Sequence, residues 1–327
     1  MWALINVTPL AAERAFLRDR RGGEVWIVMV GATCEIGLDG SAALADEQLP
    51  VRLQPEYASE PGASPLVRDT DLVLTKATTD ILVLGNAYAP QGKAVDELSV
   101  GLAVGELRKT LWVHGDSAWI EPALGVTTSP TPFETMPLTY ERAYGGVDPN
   151  DPDKWLADNP IGRGYAATDR RKVGLRAPNI TYGRDQATRV AGFGPVDPRW
   201  PSRAKLAGTY DEQWEAERMP LPPTDFDDAY YQSAPLDQRS AKPLRGGEPV
   251  AITNMHPDGP LNFKLPLLRP VFRTRIADEI VVHEGSMHSV IIEPDQQRLQ
   301  MIWHASMPCH GRLQHLDSTH IDLKRVV

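Results

Sequence analysis

Proline is spread very unevenly along this chain, and that limits its fold more than any other feature. Of 29 prolines, 21 fall between residues 120 and 270, 6 come before and 2 after. Proline fixes φ and removes a backbone donor, so this density excludes long helices and central strands from the middle of the chain. From about Tyr140 to Arg239 the same stretch sets Pro, Gly and Asn turns between large aromatics. Phrases such as Glu141-Arg142-Ala143-Tyr144-Gly145-Gly146 and Asn159-Pro160-Ile161-Gly162-Arg163-Gly164-Tyr165 are too aromatic for a linker and too irregular for a helix bundle. Such a segment needs a β-rich body to hold it in one shape. Ordered irregular backbone on a rigid scaffold is where binding surfaces are usually placed.

The flanks supply that body. Residues 2–8 and 24–36 read as strands. Val25 to Val30 is a continuous apolar run bounded by Gly22-Gly23 and Gly37, which predicts a strand buried on both faces. Ala11 to Arg21 reads as a short basic helix or a loop, and the prolines of 45–65 predict an extended loop. Ile81–Leu84, Leu98–Val104 and Leu107–His114, joined by tight turns, predict an antiparallel meander. Tyr210 to Met219 carries Asp211 and Glu212 early, Arg218 late and Pro220 beyond, which suits a short helix. After residue 245, segments 248–255, 261–265, 271–276 and 280–283 read as strands, and Glu293-Pro294-Asp295-Gln296 as the turn of a hairpin. The expected fold is mainly β: an antiparallel sandwich or barrel-like body with a long Pro/Gly-rich irregular insertion and few short helices. A single domain is preferred over two lobes, with an N-terminal β block 1–120, an insertion 121–245 and a C-terminal β block 246–327.

A chain of 327 residues, 42% hydrophobic, can bury a sizeable core. Its net charge of −9 argues against a nucleic-acid binder. One stretch runs the other way: Arg163, Arg170, Arg171, Lys172, Arg176, Arg184 and Arg189 face only Asp169 and Asp185. It reads as a solvated surface loop, as a patch for an acidic partner protein or, least, as a polyanion site. Cys34 and Cys309 cannot make a framework of bridges, and sparse cysteine fits a reducing compartment. Asn6 and Pro9 interrupt any signal core, and the longest apolar run is far short of a membrane helix. A cytoplasmic location is expected.

The search for a reaction centre returns weak signals. No P-loop, dinucleotide fingerprint, zinc-protease motif or nucleophile elbow is present. Ser202-Arg203-Ala204-Lys205 matches a short Ser-x-x-Lys spacing. His283, His288, His304, His310, His315 and His320 cluster late, at spacings that place no pair on one face of an element, and the last three read as a solvated tail. Asp148 to Asp153 lacks the glycine of a calcium loop and reads as a turn. Carboxylates such as Asp225 and Asp227 could form a hydrolase pair, though Asp in loops more often caps backbone donors. The insertion's aromatics either pin the fold or stand out as partner anchors. No cofactor or metal is expected. The candidate partner-binding residues are Arg142, Tyr144, Arg163, Tyr165, Arg170, Arg171, Trp200, Tyr210, Trp214 and Phe226.

In order along the chain stand Asn6-Val7-Thr8-Pro9, Thr79-Asp80, Gly85-Asn86-Ala87-Tyr88-Ala89-Pro90, Glu141 to Gly146 and Asn159 to Gly164. Pro178-Asn179-Ile180, Gly192-Phe193-Gly194-Pro195, Trp200, Gly208-Thr209-Tyr210-Asp211 and Trp214 follow. Leu221-Pro222, Asp225-Phe226-Asp227 and Ala234-Pro235-Leu236-Asp237-Gln238 complete the set. Together these phrases resemble a bacterial family catalogued as domain of unknown function 2169, encoded beside type VI secretion spike and effector genes. The resemblance covers nearly the whole chain. It implies a non-enzymatic adaptor or chaperone that stabilises a cognate toxin in the cytoplasm and helps mount it on the VgrG spike, often through the toxin's PAAR-like N-terminal region. It carries over no catalytic residue. A carboxylate-dependent hydrolase and a polyanion- or carbohydrate-binding module using Arg170, Arg171 and Lys172 are the competing readings.

Overall fold

A computed structural model describes residues 2–183 and 186–324; Arg184 and Asp185 of the basic stretch lie outside the described residues. The major strands of the first half are β1 (Ala3–Asn6), β2 (Ala11–Arg18), β3 (Glu24–Ile36), β4 (Asp80–Val83), β5 (Glu97–Val104) and β6 (Leu107–His114). Those of the second half are β7 (Pro249–Thr253), β8 (Leu261–Lys264), β9 (Pro270–Ile276), β10 (Glu279–Glu284), β11 (Ser286–Glu293), β12 (Arg298–Pro308) and β13 (Leu316–Leu323). Three short α-helices, α1 (Asp169–Lys172), α2 (Pro201–Ala204) and α3 (Glu212–Glu217), lie in the insertion, where the prolines forbid longer ones. The protein is mainly β and mostly antiparallel, as expected. None of its sheets, among the described residues, closes into a barrel.

Three sheets carry the architecture. The largest runs β2-β3-β12-β11-β4, the second β1-β13-β9-β10, and the third β6-β5-β7-β8 with the short Ile180–Thr181 strand beside β6. Each major sheet mixes strands from the two ends of the chain: β12 pairs β3, β13 pairs β1, and β7 pairs β5. The two β blocks therefore share their sheets. One apolar cluster joins all three, with Trp26, Val28 and Val30 meeting Val100, Leu111 and Ile252 of the third sheet and Phe272 and Ile321 of the second.

β3 is buried on both faces because two layers cover it. Alternate residues Trp26 to Ile36 face the main core, while Val25, Ile27 and Met29 pack under Val51, Leu72 and Leu74 of the proline-rich 45–74 loop.

Several expectations are corrected. Ala11–Arg18 is a strand, not a helix or a loop: it pairs with β3 from Ala11↔Gly31 to Arg18↔Glu24, and that ladder overrides its local propensity. The meander is only the β5–β6 hairpin. The Ile81–Leu84 run instead forms β4, parallel to β11 in another sheet. The polar tail is β13, an interior strand between β1 and β9. His320 faces solvent there while Thr319 and Ile321 are fully buried.

The β11–β12 hairpin brings together two histidines that the sequence keeps 16 residues apart. His288 and His304 are buried and stack with ring centroids 4.0 Å apart. Burial pushes His288 down to about 3 and His304 well below the ordinary imidazole value, and the Lys76 ammonium adds to both effects. Both are thus neutral in the fold, whereas an unfolded imidazole titrates near ~6.5. As pH falls through that value the unfolded chain takes up protons that the folded chain refuses, so stability falls as pH drops from about 6.5 towards the folded-state values. Urea unfolding from pH 7 to 4.5 should show the wild type losing up to about 1.4 kcal/mol per pH unit per histidine relative to His288→Phe/His304→Phe. Parallel pH profiles would show that the pair is not held neutral.

Candidate functional site: a groove in the Pro-rich insertion

The insertion is tied to the scaffold by a lysine in a core-facing position. In β6, Leu107, Lys109, Leu111 and Val113 alternate with exposed Arg108, Thr110 and Trp112. The Lys109 side chain is 2% exposed. Its Nζ donates to Gly192 O at 2.7 Å, Asp237 Oδ1 at 2.8 Å and Gln238 Oε1 at 2.7 Å. Gln238 Nε2 donates onward to Ile81 O and Phe193 O, both at 2.8 Å. Burial pushes the Lys109 ammonium down to about 8, against the pull of Asp237. One side chain thereby joins β6, the Gly192–Phe193 turn and the Asp237–Gln238 turn.

A second tie lies at the start of β4. Asp80 accepts from Lys76 Nζ and from Ser233 N, both at 2.8 Å. Thr79 exchanges bonds with Ser240, and its hydroxyl donates to Met287 O. The Thr79-Asp80 phrase thus holds the returning end of the insertion.

Between these ties, residues 140–180 close on themselves. Tyr144 and Gly145 pair in parallel with Arg163 and Gly164. Asn159, fully buried, donates from Nδ2 to Tyr140 O at 2.8 Å and Tyr144 O at 3.1 Å. The approach requires glycine: Gly146 sits at φ +94°, and a Cβ there would lie 2.4 Å from Gly162 O. Asn179 Oδ1 accepts from Arg163 Nη1 at 2.9 Å and Arg142 Nη1 at 3.4 Å, and both guanidiniums lie within 4 Å of Asp116.

Beside this knot an open groove of about 750 Å³ runs between the 182–206 and 229–239 segments. Trp200 forms part of its wall, edge-on to Tyr140 at 5.0 Å. Tyr182 donates its hydroxyl to Asp237 Oδ2 at 2.7 Å and carries the Arg189 guanidinium on its ring face at 3.9 Å. Leu236, on the 3₁₀ turn 236–238, is 82% exposed at this groove. An apolar wall with an exposed leucine and cations beside it can hold a polypeptide segment. The 192–195, Trp200 and 234–238 family phrases all contribute to it.

The other candidates are dispersed. Tyr144, Trp200 and Phe226 are 5%, 6% and 6% exposed and act as core pins. Arg142, Arg163, Tyr165 and Trp214 are half-buried. Trp214 Nε1 donates to Leu221 O, and its ring meets exposed Tyr210 at 4.7 Å. Arg171 is held by Asp148 and Asp151, while Arg170 is exposed. The candidate carboxylates cap backbone. Asp225 accepts from Thr209 N and Oγ1, and those bonds hold it below the usual carboxylate range. Asp227 accepts from Ala229 N. Ser202 and Lys205 both border the groove, but among the described residues no hydrogen bond joins them, as a nucleophile–base pair requires. No group of three or more His, Cys, Asp or Glu among the described residues is placed to hold a metal ion.

Lys109 and Tyr182 were missed as site residues, while Arg189 was noted only as part of the basic stretch. Lys109 did carry a signal, as the one charged residue at an inward position of an alternating strand; Tyr182 carried none. Removing Asn159's donors should loosen the 140–165 knot. Asn159→Ala removes both bonds; Tyr140 O keeps the Ala143 N–H at 3.1 Å, but Tyr144 O loses its side-chain donor, at about 1–3 kcal/mol. Denaturant unfolding should register that loss with the m-value preserved; a change under about 0.5 kcal/mol would mean the two bonds do not hold the knot.

No curated protein and no solved structure matches the chain. One family profile does match, over residues 21–304, and the chain belongs to that family, described as an uncharacterized protein conserved in bacteria (DUF2169).

Proposed function

We propose that this protein is a non-enzymatic adaptor that grips a client polypeptide, a type VI secretion effector, at its PAAR-like N-terminal region in the cytoplasm and helps load it onto the VgrG spike. The observation that carries the reading is the groove beside Trp200 and Tyr182, with Leu236 82% exposed at it. Leu236 shares the groove lining with Trp200, Val190 and Val196, so it extends their apolar surface, which suits completion by a partner. The groove's polar groups favour holding over turnover. Asp237 is occupied by Lys109 and Tyr182, and Arg203 by Asp69, Val196 O and Tyr230 O. A two-carboxylate hydrolase needs an acid raised above its ordinary value, and Asp225 is shifted the other way.

Binding the folded or partly folded effector and not its aggregated form would raise the soluble fraction by mass action. Co-expression with a type VI effector carrying a PAAR-like N-terminal region should raise soluble effector. Leu236→Asp should weaken the complex about tenfold, a hot-spot loss of about 1–2 kcal/mol, without unfolding the adaptor. Equal soluble effector with and without the chain would overturn the proposal.

A further inference from the structure

The edge of the second sheet is left open in a way that the other edges are not. β10 is the terminal strand of β1-β13-β9-β10 and pairs only with β9, from Val271↔Glu284 to Ile276↔Glu279. No backbone hydrogen bond from another segment reaches residues 279–284 among the described residues. In an antiparallel ladder half the residues of an edge strand aim their N–H and C=O groups outward. The centre of this edge is Ile280-Val281-Val282, without proline, charge or bulge. Ile280 and Val282 share one face and are 59% and 60% exposed.

Natural sheets blunt their edges with charge, short length or a covering segment, and the other edges here follow that practice. β2 carries Glu13, Arg14 and Arg18. β4 is covered through Val83 N to Phe193 O and a bridge from Asp80 to Arg239. β8 and β1 are four residues long, and the strand beside β6 is two. β10 has six residues and charges only at its ends, Glu279 and Glu284.

We infer that β10 accepts an incoming β-strand from the client polypeptide: an extended segment with alternating apolar residues and Lys or Arg at its ends. The apolar residues would lie beside Ile280 and Val282, the backbone would complete the outward row of hydrogen bonds, and the basic ends would face Glu279 and Glu284. Those two carboxylates are free to change partners. Their present ion pairs, to Arg312 and Lys324, have side chains 41–63% exposed and hold little energy. A second copy of this chain fits less well. Two β10 strands paired antiparallel about a two-fold axis at Val281 would set Ile280 opposite Val282 and Glu279 opposite His283, would bring no Lys or Arg to Glu279 or Glu284, and would place Glu284 beside the other copy's Asp278.

The occupant's identity rests on the adaptor reading, but the strand-binding test does not use the effector. The probes are two synthetic peptides, Lys-Val-Thr-Val-Thr-Lys, whose end residues lie on opposite faces as Glu279 and Glu284 do, and the same sequence with Glu at both ends, fluorescently labelled and titrated against the full chain. The basic-ended peptide should bind at least about tenfold tighter than the acidic-ended one. Val282→Lys, at an exposed position, should weaken it at least about tenfold while leaving the melting temperature and circular dichroism unchanged. Methylating alternate backbone nitrogens of the peptide should abolish binding in one of the two alternations. Equal binding of both peptides, or binding indifferent to Val282→Lys, would overturn the inference. So would a concentration-dependent dimer in sedimentation that Val282→Lys dissolves, which would assign the edge to a second copy. If the edge test fails while the chain still raises soluble effector, the adaptor reading stands without it.

Discussion

The insertion's order depends on one buried cation. A lysine ammonium inside a protein costs several kcal/mol in lost hydration unless acceptors replace the water. Lys109 has three: a backbone carbonyl, a carboxylate and an amide oxygen, drawn from two segments about 45 residues apart in a proline-rich chain. Meeting that demand fixes where Gly192 and Gln238 sit. Gln238 then satisfies the carbonyls of Ile81 and Phe193, which extends the tie to β4. Proline removes the insertion's access to regular ladders, and side chains such as Lys109, Asp80 and Asn159 supply the bonds instead.

This arrangement accounts for a surface that is irregular and yet fixed. Three interleaved sheets, each carrying strands from both ends of the chain, provide a stiff base. The turns anchored on that base form the walls of the groove, with Trp200 and Tyr182 positioned by their own hydrogen bonds and ring contacts. In the proposed function the groove would read a partner's side chains, and the β10 edge would offer backbone pairing on a different sheet. A protein that holds a client benefits from both, since preorganised surfaces lose little entropy on binding.

Much of the scaffold was legible in sequence. The Val25–Val30 strand follows from its continuous apolar run, and the Pro294 hairpin and the strands after residue 245 from alternation and turn residues. What escaped depended on partners distant in the chain. Ala11–Arg18 has a mixed pattern that becomes a strand only because β3 lies beside it. Ile81–Leu84 reads as part of a local meander, but its parallel partner is more than 200 residues away. The site was less legible. Aromatic-rich phrases located the insertion's ordered segments, yet burial sorted Tyr144, Trp200 and Phe226 into the core and left Leu236, an ordinary leucine in sequence, exposed at the groove. Spacing along the chain concealed the His288–His304 stack, because two strands' register and not their sequence separation brings those rings together.

The central claim is that side chains rooted in the β scaffold, with Lys109 foremost, hold the proline-rich insertion in one conformation. Native-state hydrogen exchange tests it most directly. The amides of Gly146, Arg163, Tyr165 and Ser240, each bonded to a backbone carbonyl, should exchange through the same slow openings as β3. In Lys109→Met those of the insertion should speed up together while β3 and β12 stay protected. Exchange of these wild-type amides at the rates of an open loop would contradict the account.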